Sequence, residues 1–195
     1  MTIVRDDNRC GKLGFMEKAI LKTLVYSSLF DYPLKAWEIH KWLIDKKLSL
    51  REVEKVLIKL LKSGRIKSKR GYYFLSGDER MVVKRIKREE ISEKLYRQIN
   101  LISKVFKIIP FVKLVGVSGS LSLNNAGEGD DIDLFIITQK KRLFISRLLL
   151  LLILELWGMR RKRGEDIKKV AGKICINLLL EEDKLEQEKK NIYIA

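Results

Sequence analysis

The chain has 195 residues, 46% hydrophobic and 34% charged, which is the composition of a globular protein holding one ordinary domain or two small ones. Forty-one Lys and Arg stand against 25 Asp and Glu, a net charge of +16 that suits polyanions such as nucleic acid, nucleotides or an anionic membrane surface. Much of it is lysine spread over every segment, so charge alone is weak support. Cys10 and Cys175 are far apart and lack neighbouring histidines, which argues against a disulfide framework or a zinc site and for a reducing, cytoplasmic setting. Met1 to Gly14 is polar and has no apolar core, so no secretory signal is expected.

Apolar residues recur at helical spacing from Met16 to Leu29, and Asp31-Tyr32-Pro33-Leu34 breaks that helix. Pro33 sits just before a second predicted helix, 35–45. Ser49 and Glu52 form a capping box for a third, whose inner face is Leu50, Val53, Val56, Leu57, Leu60 and Leu61. Ser63-Gly64 stops it. Arg65 to Lys69 and Tyr72 to Leu75 then read as two strands joined at Arg70-Gly71. Tyr72, Tyr73 and Phe74 alternate as wing core rather than as a stacking platform.

Three helices and a basic hairpin in that order resemble a winged helix-turn-helix domain, here residues 1–79. The resemblance implies a third helix in the DNA major groove and a wing along the backbone. Arg51, Lys55 and Lys59 of the third helix, with Lys62, and Lys67, Lys69 and Arg70 of the wing, with Arg65, are the candidates for DNA or RNA phosphates. A module that packs on a partner and touches no nucleic acid is equally open. His40, the only histidine, lies on the second helix and is given no catalytic role. Trp37, Trp42 and Trp157 read as core or interface anchors.

Residues 80–110 form a connector. Glu79 to Lys107 predicts one long helix, with Val82, Ile86, Ile91, Leu95, Ile99 and Ile102 as its apolar positions and Pro110 as its end. The run Lys84-Arg85-Ile86-Lys87-Arg88 faces Glu89, Glu90 and Glu93, a pattern expected of a solvated face with local ion pairs.

The most informative stretch follows. Val115-Gly116-Val117-Ser118-Gly119-Ser120 reads as a strand entering a tight turn and a helix start. After a ten-residue spacer comes a second strand, Ile132 to Thr138, headed by Asp131 and carrying Asp133. Strand residues two apart share a face, so the two carboxylates face each other and repel unless a cation lies between them. A hard divalent ion, most simply Mg²⁺, answers that need. Glycine at 119 allows close backbone approach to a ligand.

Gly-Ser, a ten-residue spacer and Asp-apolar-Asp-apolar together resemble the nucleotidyltransferase superfamily related to DNA polymerase β, in its minimal type. The likeness is direct from about Val112 to Thr138 and extends to about Glu182. It implies a transferase domain over 111–195 with a small mixed sheet, and overall an α/β (α+β) protein with the winged domain in front. It further implies that Gly119 and Ser120 hold the terminal phosphates of an NTP, ATP foremost. Asp131 and Asp133 would bind Mg²⁺, and a nucleoside monophosphate would pass to an acceptor.

Three departures follow from the family's pattern. Leu123 and Asn124 stand where small-substrate members carry Arg-Gly. The third carboxylate's place on the next strand, Lys173 to Leu180, falls to Asn177, with Glu181 on the same face by parity and so the candidate base. Many relatives also continue into a helical region that binds the acceptor, so the transferase domain is expected to be C-terminally incomplete. Lys140 and Lys141 are the nearest cations after the second strand, and Lys140 is the candidate to neutralise nucleotide phosphate charge. The helix 143–159 is apolar all round but too short, and too interrupted by Arg147 and Glu155, to span a bilayer. It is expected to bury one side on the sheet and offer the other to a second copy or a partner protein. Arg160 to Arg163 reads as a solvated loop. The alternative function is a catalytically silent, nucleotide-sensing DNA regulator.

Overall fold

Six helices and two three-stranded sheets make up the residues described by this computed structural model, 7–45, 47–75, 79–162, 164–166 and 169–186, with side chains described from residue 14 on. The helices are α1 (Asp7–Ser28), α2 (Ala36–Lys41), α3 (Leu50–Lys62), α4 (Arg80–Phe106), α5 (Gly119–Ser122) and α6 (Leu143–Leu156). The strands are β1 (Leu34–Lys35), β2 (Lys67–Lys69), β3 (Tyr72–Phe74), β4 (Val112–Val117), β5 (Ile132–Thr138) and β6 (Ile174–Glu181). The chain is thus a mixed α/β protein, and it divides into two compact units, Met1–Ile86 and Lys87–Ala195.

In the first unit α1, α2 and α3 close over Ile20, Leu24, Ile39, Val53, Val56, Leu57 and Leu60, all buried. The Ser49 hydroxyl accepts from the Glu52 N–H and the Glu52 carboxylate accepts from the Ser49 N–H, so α3 starts with both halves of its capping box. Arg70 and Gly71 both take positive φ, the requirement of a two-residue hairpin between β2 and β3. The two residues of β1 add a third, antiparallel strand on the other edge of β3, an element too short to carry a period in the sequence. Helix α2 ends at Lys41 rather than at 45. The Ile44 N–H goes instead to the Thr23 hydroxyl at 3.1 Å, and Trp42 and Leu43 turn toward the core.

The basic run at the head of α4 departs from its expected solvated face. Arg85 is 1% exposed and donates to Tyr32 Oη at 2.6 Å and to Glu38 Oε1 at 3.1 Å, with Glu38 itself 2% exposed. Its guanidinium also lies 4.2 Å from the Tyr32 ring centre. A charge this deep is tolerable only because its partner is equally buried and hydrogen-bonded, Glu38 Oε2 accepting from the Lys35 N–H. In the second unit, Lys87 pairs with Glu128, and Arg88 donates to the Asn125 side chain.

The second unit is built on the sheet β4-β5-β6, in which β5 runs antiparallel to β4 and parallel to β6. Along β5 burial alternates strictly. Ile132, Leu134 and Ile136 enter a core with Ile99, Ile102 and Phe106 of α4 and Leu150 and Leu154 of α6. Asp133, Phe135 and Ile137 therefore point to the opposite, half-exposed face. Helix α6 buries Ser146, Leu150 and Leu154 and exposes Phe144, Leu148, Leu152 and Leu156, one stripe at four-residue spacing. Among the described residues no helix is long and apolar enough to cross a membrane.

Candidate functional site

The head of β5 is where the polar residues of the second unit converge. Asp131 precedes the strand and Asp133 is its second residue. Their carboxylates and the Cys175 sulfur each offer one donor atom, all within 4.8 Å of one another. Gly119 lies directly beneath Asp133. Its φ is +64°, and a Cβ built there would stand 3.3 Å from Asp133 Cβ and inside van der Waals contact with Asp133 Oδ2. Only glycine therefore lets the turn after β4 run this close to the carboxylate. The Ser118 N–H, donating to the Asp133 carbonyl at 2.9 Å, fixes that approach.

The loop between the two motifs is held from several sides. The Ser120 hydroxyl donates to Asp130 Oδ2 at 2.7 Å, and the Gly127 N–H donates to the same oxygen at 2.9 Å. From α4, the Tyr96 hydroxyl donates to the Leu121 carbonyl and the Ser92 hydroxyl accepts from the Ala126 N–H. Asp130 is the residue that sequence reasoning passed over; it ties Ser120 to the far end of the loop. Its only signal was a third carboxylate immediately before the Asp131-Ile132-Asp133 pattern.

The third donor differs from the one expected. Strands β5 and β6 pair with Asp133 opposite Cys175, and the register then shifts between Leu134 and Phe135, so that Phe135 faces Leu178. Asn177 is the extra residue of that bulge and is exposed. The parity count from Asn177 to Glu181 does not survive the bulge, since Leu179 packs on the core while Asn177 faces solvent. Glu181 pairs with Thr138 at the opposite end of β5, five residues or about 17 Å of strand from Asp133. Lys140 lies beyond that same end, its ammonium 3.1 Å from Asp183. Glu181 and Lys140 are therefore not brought to the aspartates, while Asn177 stands in the bulge two residues past Cys175. Gly119, Ser120, Asp131 and Asp133 are brought together, with Cys175.

A cation also reaches the cluster from the supposed solvated loop. The chain after α6 runs along the outer edge of β6: the Ile174 N–H donates to the Met159 carbonyl at 2.7 Å and the Arg161 N–H to the Ile174 carbonyl at 3.0 Å. Arg161 Nη1 then lies 2.6 Å from Asp131 Oδ2.

Burial, and then the neighbouring Asp131, push the Asp133 carboxyl above its ordinary value. Burial and both aspartates likewise raise the Cys175 thiol, which stays protonated at neutral pH. Adjacent carboxylates with a thiol alongside are a donor set for a divalent cation. The two carboxylates suit Mg²⁺; a thiolate from Cys175 would extend the range to Mn²⁺, Co²⁺ or Zn²⁺. Gly119→Ala is expected to cost about 1–2 kcal/mol of backbone strain. It should also displace the Asp133 carboxylate, lowering Mn²⁺ affinity although every donor is still present. A urea melt and a Mn²⁺ titration check both, and an unchanged affinity contradicts the close-approach argument.

The nucleic-acid candidates belong to the first unit. Arg51, Lys55, Lys67 and Arg70 are exposed. Glu17 takes up both Lys59, at 2.7 Å, and Arg65, at 3.1 Å, and Lys69 pairs with Glu79. Part of the expected basic face is thus neutralised within the unit. Comparison of the chain with family models, curated proteins and solved structures finds no match in any of the three.

Proposed function

We propose that the second unit is a nucleotidyltransferase-type domain of the polymerase-β kind that binds an NTP with Mg²⁺ and transfers its nucleoside monophosphate to a hydroxyl acceptor. The observation that carries this reading is the seating of Gly119 against Asp133, beside Asp131. A backbone that only glycine permits brings the phosphate-binding turn to the two carboxylates. Asp131 and Asp133 would hold the metal. It would supply charge neutralisation on the α-phosphate and the leaving pyrophosphate. Gly119 gives the triphosphate close access to the backbone, and the Ser120–Asp130 pair holds that turn in place. In the transfer, a bond forms between the acceptor oxygen and the α-phosphorus. The bond to the pyrophosphate oxygen breaks, pyrophosphate leaves with the electron pair, and the acceptor's proton passes to solvent water.

Cys175 favours a second reading, in which the same site binds nucleotide without turning it over. A thiol held protonated by burial and two carboxylates is a poor replacement for a third carboxylate, both as metal ligand and as base. In that reading the first unit, as a winged helix-turn-helix module, contacts DNA through Arg51, Lys55, Lys67 and Arg70 and answers to nucleotide. The two readings separate in one assay: each NTP, labelled at the α-phosphate, incubated with Mg²⁺ or Mn²⁺ and candidate RNA, protein and small-hydroxyl acceptors. Label transferred with equimolar pyrophosphate supports the transferase. Nucleotide binding without pyrophosphate release supports the sensor, and binding of no nucleotide refutes both.

A further inference from the structure

Arg161 is the cation engaged with the cluster, and the arrangement is unlike an incidental surface pair. Its main chain is fixed to β6 by the hydrogen bond to Ile174, so the side chain starts from a set position at the sheet edge. The Asp131 side chain it meets is 16% exposed, whereas the Arg161 side chain is 43% exposed. The places where a phosphate-facing arginine would follow the Gly-Ser turn hold Leu123 and Asn124, both exposed. The other cation expected near the phosphates, Lys140, sits past the far end of β5.

A carboxylate oxygen with a guanidinium at 2.6 Å cannot also accept a divalent ion at about 2.0–2.6 Å without placing two cations in contact. Arg161 and a metal therefore compete for Asp131 Oδ2. A guanidinium displaced by the metal finds a better partner in a triphosphate, whose oxygens match its planar fork and carry more charge. We propose, resting on the nucleotide-site reading above, that Arg161 is a triphosphate-binding residue that exchanges partners. It holds Asp131 in the free protein and moves to the phosphates when metal and triphosphate arrive together. The site then binds bare metal weakly and binds metal with triphosphate well, a positive coupling between the two ligands.

The test uses the full chain and two probes: Mn²⁺ alone, followed by the electron paramagnetic resonance of free Mn²⁺, and Mn²⁺·tripolyphosphate, followed by calorimetry. Arg161→Ala is expected to bind bare Mn²⁺ about two- to five-fold more tightly, because a partly exposed competing ion pair is gone. The same variant should bind Mn²⁺·tripolyphosphate about ten-fold or more weakly, since charge-assisted hydrogen bonds to phosphate are lost. Arg161→Lys keeps the charge without the fork: it should resemble wild type on bare metal and fall between the two on tripolyphosphate. Should Arg161→Ala lose its fold by circular dichroism, Arg161→Lys carries the test through that intermediate tripolyphosphate affinity. Opposite signs on the two probes support the exchange. A loss on both makes Arg161 merely structural, and no change on the second removes its phosphate role while the nucleotide site stands. Wild type that binds neither probe overturns the nucleotide-site reading and this proposal together.

Discussion

Asp133→Asn is expected to weaken divalent-metal binding by about a hundred-fold or more while leaving the metal-free protein at least as stable as wild type. The first half follows from removing a charged donor; even partners one shell further out commonly cost ten- to hundred-fold. The second half follows from the sign of the pKa shift. Burial, and then Asp131, raise the Asp133 carboxyl in the folded chain, so its ionised form is the one the fold disfavours. The penalty is absent below the ordinary carboxylate pKa and grows as pH rises from there through the raised value. Wild type should therefore gain relative stability as pH falls through that window, and the asparagine variant should lack the gain. Added Mn²⁺ should raise the melting temperature of wild type by mass action and leave the variant unmoved. Thermal melts from pH 4 to 7, with and without Mn²⁺, read all of this. A variant less stable than wild type at pH 7 without metal would make Asp133 a structural residue.

The second large effect lies in the other unit. Arg85→Ala is expected to cost about 3–5 kcal/mol in urea denaturation, because it strands Glu38 without its counter-charge. Glu38 is 2% exposed and keeps its bonds to the Lys35 N–H and, at 3.4 Å, the Tyr32 hydroxyl, neither of which carries a formal charge. The double variant Arg85→Met/Glu38→Leu removes both charges and is expected to recover much of that loss, since a buried pair gives little net stability against apolar residues of similar size. A single-variant cost below about 1 kcal/mol, the range of exposed pairs, would contradict the buried-pair account.

These two residues mark what a linear sequence discloses. Asp133 was legible because strand period and local chemistry agree: the alternation of Ile132, Leu134 and Ile136 fixes which face the carboxylate takes. The Ser49–Glu52 box and the Arg70-Gly71 turn were legible for the same reason, each being settled within a few residues. Cys175 was not. Its place depends on how β6 slides against β5, and a run such as Ile174 to Leu180 is apolar enough to accept more than one register. The bulge at Asn177 then inverts the parity on which Glu181 had been placed. Arg161 was hidden among four consecutive cations, and Arg85 among four in five residues. What singles out each is a partner distant in sequence, Asp131 for one and Glu38 for the other.

The fold places two carboxylates, a glycine turn and Arg161 at one end of the second unit's sheet, and the central proposal is that this is a metal-dependent nucleotide site. Isothermal titration calorimetry of ATP, GTP, CTP and UTP, with and without Mg²⁺, tests it most directly, with Asp131→Asn/Asp133→Asn alongside. The account predicts binding of at least one nucleotide that requires Mg²⁺ and vanishes in the double variant. No binding of any nucleotide by the folded wild type, or binding that the double variant retains, would contradict it.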